Sequence, residues 1–195
     1  MKEIIILTIT TIVLVSCSID IRQLPSPKKN EETVDNSNRN KLSIREFKII
    51  NNDLLEIESA WKYIFISFLK NDIFIKNNYT IIETNDQIKD SISLNIKIIP
   101  DLNEERNYWW SIPIIYPVTL IWPIHFRQIE YKVKIEYSIE KNGDLILEDS
   151  FEFNDNQKIY FYGLIRTSVF EESIEDINKK VLEECVSKIS LRLYQ

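Results

Sequence analysis

Ile92, Leu94, Ile96 and Ile98 alternate with Ser93, Asn95 and Lys97. A longer alternation sets Ile129, Tyr131, Val133, Ile135, Tyr137 and Ile139 against Glu130, Lys132, Lys134, Glu136, Ser138 and Glu140. Period-two patterning of this kind predicts strands of a sheet with one dry and one wet face. Asn142-Gly143 follows the second run, and this dipeptide suits the positive φ angles of a type I′ hairpin turn. Leu145, Leu147, Phe151 and Phe153 then mark the returning strand, with a further strand expected over 159–162. Upstream, 42–50 and 79–83 read as two shorter strands.

Two stretches change to helical period. Leu54, Ile57, Trp61, Ile64 and Phe68 recur at three- and four-residue spacing, Ala60, Phe65 and Leu69 widen the stripe, and Asp53 with Glu56 makes a capping pair. Ile174, Ile177, Val181, Cys185, Ile189 and Leu193 mark one face of a last helix, with Ser173 and Asp176 as its capping pair. The order strand, helix, strand, several strands, helix predicts an α+β fold: a two-layer sandwich in which two helices cover one face of a mainly antiparallel sheet. The folded domain is expected over 42–195.

The first seventeen residues follow another logic. Lys2 gives a minimal basic start, and Ile4 to Val15 are all apolar or threonine. Twelve such residues suit the core of an export signal and fall short of the ~20 that a spanning helix needs. Leu14-Val15-Ser16-Cys17 comes next. This tetrad resembles the lipobox of bacterial lipoproteins. The resemblance implies cleavage after Ser16, lipidation of Cys17, and anchoring by two or three acyl chains. It also implies a cell-envelope location, with Ser18 favouring the outer over the inner membrane. Cys185 is then left without a disulfide partner, and its place on an apolar helix face suits a buried, inert thiol.

Residues 18–41 carry Pro25, Pro27, Asn30, Asn36, Asn38 and Asn40 among many charges. Such a composition predicts a disordered spacer between the lipid and the domain. The element order behind a lipobox resembles that of small envelope accessory lipoproteins, such as the accessory lipoprotein of the lipopolysaccharide-transport translocon and the N-terminal module of the Tol-system β-propeller protein. That resemblance implies a scaffold that docks to larger envelope machinery.

One segment is unlike the rest. Between Arg106 and Arg127, residues 107–126 carry no charge and hold Trp109, Trp110, Tyr116 and Trp122 with Pro113, Pro117 and Pro123. The prolines forbid a regular helix or central strand there. Three readings stand side by side: an apolar cover over the end of the sheet, a membrane contact through the interfacial rings, and a docking patch for a partner protein.

Composition narrows the function further. Twenty-four basic against thirty acidic residues provide no field to draw nucleic acid. Two glycines, Gly143 and Gly163, cannot build a phosphate-cradling loop. His125 is the only histidine, which leaves a zinc site or a triad without its usual groups, and adjacent glutamates such as Glu183-Glu184 read as solvated faces. No catalytic residue, metal or other cofactor is expected. The sequence thus points to a non-catalytic, membrane-anchored envelope lipoprotein, an accessory or assembly factor. The alternative is a module that binds a lipid or other apolar ligand.

Overall fold

A computed structural model describes residues 19–29, 39–84, 91–106, 126–160 and 167–194. Strand β1 (Asn40–Ile49) leads through a 3₁₀ turn (Asn52–Ile57) into α1 (Glu58–Asn71) and the short α2 (Ile73–Asn78). The strands β2 (Tyr79–Glu83), β3 (Ser91–Arg106), β4 (Phe126–Lys141) and β5 (Asp144–Tyr160) follow, and α3 (Thr167–Tyr194) is last. The five strands form one sheet in the order β2-β1-β3-β4-β5.

The expected α+β sandwich is the one observed. The dry face of the sheet carries Leu42, Ile44, Leu94, Ile96, Ile98, Ile129, Tyr131, Val133, Ile135, Tyr137 and Ile139, all buried. Trp61, Phe65, Phe68 and Leu69 of α1 and Ile174, Val181, Cys185 and Ile189 of α3 complete the core. Opposite signs meet on the wet face, both between strands and along β4. Lys97 Nζ and Lys134 Nζ reach the Glu136 carboxylate at 2.9 and 2.7 Å, and Arg45 Nη1 reaches Glu140 at 2.9 Å. Half-exposed pairs of this kind align the register more than they stabilise it.

The antiparallel part is long. Leu94 stands opposite Ile139 and Ile135 opposite Phe151, and the β4–β5 turn places Asn142 at φ 56° and Gly143 at φ 94° as the turn chemistry requires. The β1 pairings with β2 and β3 are parallel and shorter, and α1 and α2 carry the chain back from β1 to β2. Pro100 fits inside β3 because β1 ends at Ile49, level with Ile98. Beyond that point Asn51 Nδ2 donates to the Pro100 carbonyl instead.

Several boundaries differ from expectation. Asn51, not Asp53, caps the first helical turn, accepting from the Asp53 amide at 2.9 Å. Residues 159 and 160 continue β5 rather than opening another strand. Helix α3 begins two turns before Ser173, whose hydroxyl serves the sheet: it donates to Asp155 at 3.0 Å and accepts from Gln157 at 2.7 Å.

The largest difference concerns residues 19–29, expected to be spacer. They form a strap packed along α3. Ile19 and Pro25 are buried, and Ile21 and Leu24 pack against the core. Four apolar side chains among the charges offset the ordering of eleven residues, with backbone hydrogen bonds completing the balance.

Candidate functional site

The residues singled out by sequence, namely Ser16 and Cys17 of the lipobox and Trp109, Trp110, Tyr116 and Trp122, lie outside the described residues, as does His125. The points at which their segments join the domain are described, and they converge.

The strap runs parallel to α3. At its start the Asp20 amide donates to Glu171 Oε1 at 3.2 Å, in the first turns of the helix. Asn178 Nδ2 donates to the Gln23 carbonyl at 2.7 Å, and further on Lys28 Nζ meets Glu183 at 3.1 Å and covers the Phe68 ring. The Lys28 amide donates to Ser67 Oγ of α1. Arg22 folds back on Asp20 with its amide and guanidinium, which holds the Asp20 carboxyl below the usual range. Chain direction therefore places the segment that leads to Cys17 at the N-terminal end of α3.

The 107–125 segment joins the sheet at that same end. Arg106 closes β3 opposite Arg127, and Phe126 opens β4 opposite Tyr160, the last residue of β5. Arg127 Nε donates to Glu104 at 2.7 Å while its guanidinium lies over the Phe170 ring of α3. Lys158 Nζ sits 3.9 Å from the centre of the Phe126 ring. The base of the uncharged segment is thus tied to the first turns of α3, beside the start of the strap.

The far end of the domain holds a groove of about 530 Å³ with Ile92, Ile139, Ile146, Leu147 and Leu193 as apolar lining. Lys41, Lys141 and Arg192 bring positive charge to it, from the start of β1, the end of β4 and the last turn of α3. Periodicity could not show this groove, because it joins the termini of elements far apart in sequence.

Among the described residues no group of three or more histidine, cysteine or acidic side chains is placed to hold a metal ion, and no helix is long and apolar enough to cross a membrane. Cys185 is buried, and burial pushes its thiol well above the ordinary range.

A protein-family model matches residues 6–190, starting inside the apolar run at 4–15. No curated protein matches the sequence. Among solved structures, a homologue of a neuraminyllactose-binding hemagglutinin from Helicobacter pylori is 12% identical with a TM-score of 0.46, over 87% of this chain and 95% of that one. Rare lipoprotein B from Shewanella oneidensis is 11% identical with a TM-score of 0.38, over 80% and 100% of the two chains. A minor lipoprotein from Acinetobacter baumannii is 10% identical with a TM-score of 0.36, over 76% and 93%. At these identities and scores the likeness assigns no role to this chain.

Proposed function

We propose that this chain, which belongs to the family whose model spans residues 6–190, is a non-catalytic envelope lipoprotein, anchored through Cys17 and acting as an accessory factor beside a larger membrane assembly. The observation that carries this reading is the strap. Ile19 is already buried in the domain two residues after Cys17, so a lipid on Cys17 would hold the domain close to the membrane. Outer-membrane placement, suggested by Ser18, and docking through Trp109, Trp110, Tyr116 or Trp122 belong to the same proposal.

Metabolic labelling with an alkyne fatty acid, followed by mass spectrometry of the N-terminal peptide, tests the anchor. The native chain takes up label on the peptide beginning at Cys17, and Cys17→Ala takes up none. An unlabelled native chain refutes the lipoprotein assignment. Affinity purification from solubilised membranes tests the accessory role, which is abandoned if the protein is recovered alone.

The groove favours a second reading, a module for an apolar ligand. Apolar lining beside Lys41, Lys141 and Arg192 suits an amphiphile with an anionic head. A fluorescent fatty acid that binds the native protein and is lost with a Lys41→Glu/Lys141→Glu variant would support this reading; no binding by the native protein dismisses it.

A further inference from the structure

The two ends of the domain differ in what leaves them. At the N-terminal end of α3, the strap begins at Ile19, and Cys17 lies two residues further, within about 7 Å of extended chain. At that end β3 stops at Arg106 and β4 starts at Phe126, so the uncharged stretch with three tryptophans departs and returns there. The contacts of Asp20 with Glu171 and of Arg127 with Phe170 fix both departures to one helix. The opposite end carries Lys41, Lys141, Asp144 and Arg192 around the β4–β5 hairpin and the end of α3.

We infer that the end of the domain carrying Ile19, Phe126, Arg127 and Val169 lies against the lipid bilayer, with α3 directed away from it. This orientation rests on the lipidation of Cys17 proposed above. Only two residues separate Cys17 from Ile19, a reach of at most about 7 Å, so a lipid at Cys17 cannot hold the domain by its other end, because α3 alone spans about 37 Å from Val169 to Tyr194.

Two probes on one helix test this. Val169 is 43% exposed and Tyr194 76% exposed, so cysteine at either position accepts a thiol-reactive fluorophore, while Cys185 is buried and Cys17 is blocked by its thioether. The lipidated Val169→Cys and Tyr194→Cys proteins are reconstituted into phosphatidylethanolamine–phosphatidylglycerol vesicles containing a headgroup-nitroxide lipid. The Val169 probe is expected to lose most of its emission and the Tyr194 probe to keep it. Exposed Glu172 and Leu191 give a second pair if either variant fails to fold. Flotation of the same vesicles separates the two claims. Protein that does not float refutes the anchor, and the orientation with it. Protein that floats with any other quenching pattern leaves the anchor standing and overturns the orientation.

Discussion

Asn178 Nδ2 donates to the carbonyl of Gln23 at 2.7 Å, joining residues 155 positions apart. The other end of the same amide accepts from Tyr131 Oη at 2.9 Å. Asn178 is 0% exposed, so one side chain bolts the strap to both α3 and the sheet.

Asn178→Leu therefore leaves the Tyr131 hydroxyl and the Gln23 carbonyl without their partner. A buried group left unsatisfied costs about 1–3 kcal/mol. We expect a urea midpoint lowered by a loss of roughly 2–6 kcal/mol for the two groups together. Amide exchange over 19–29 should rise more than exchange in β4. Equal rises in both segments would mean that the strap does not depend on this contact.

Alkaline pH weakens the fold through buried acids, Tyr137 and Cys185 among them. Burial, and then the neighbouring Asp149 carboxylate, push Tyr137 up from its ordinary 10.0 to about 12. Burial also drives the Cys185 thiol far above its ordinary 9.0. Both stay protonated when folded and ionise first in the unfolded chain, so the unfolded state binds fewer protons at high pH. Their contribution is complete below pH 9 and is lost progressively as pH rises through 12. Chemical denaturation at a series of pH values should show a declining midpoint over that window. Tyr137→Phe should flatten the upper part of the decline.

Cys185 gives a direct report of unfolding. A thiol reagent should modify the folded Cys17→Ala protein slowly or not at all, and stoichiometrically in denaturing urea. Rapid modification of the native protein would place Cys185 outside the core.

Gly143 sits at φ 94° in the β4–β5 turn, where a Cβ is unwelcome. Gly143→Ala should cost about 1 kcal/mol, read as a lowered thermal midpoint without loss of sheet signal in circular dichroism. An unchanged midpoint would show that the hairpin is held by its strands alone.

The sheet and the two long helices were legible because burial on one face imposes a period that survives in sequence. Ile129 to Ile139 and Ile174 to Ile189 show this directly. The Ser173–Asp176 pair misled because a serine can serve a neighbouring strand as readily as its own helix, and only the position of Asp155 decides between them. The strap was hidden for a related reason. Ile19, Ile21 and Leu24 are too few and too irregularly spaced to stand out among charges, and their partners lie some 150 residues away. Parallel pairing of β1 with β2 and β3 leaves no short-range signature like Asn142-Gly143. Of the candidate sites, the Leu14–Cys17 tetrad and the uncharged run were visible as local composition. That the residues flanking them, Ile19, Arg106 and Phe126, lie at one end of the domain emerges only from the register of β3 with β4 and the direction of the strap.

That strap also imposes an order of events. It binds a helix made from the final stretch of the chain, so the Gln23–Asn178 bond cannot form until α3 has been synthesised and delivered. Until then residues 19–29 have no seat on α3. Once α3 docks, its residues 171–183 clasp the strap across some 150 positions of sequence.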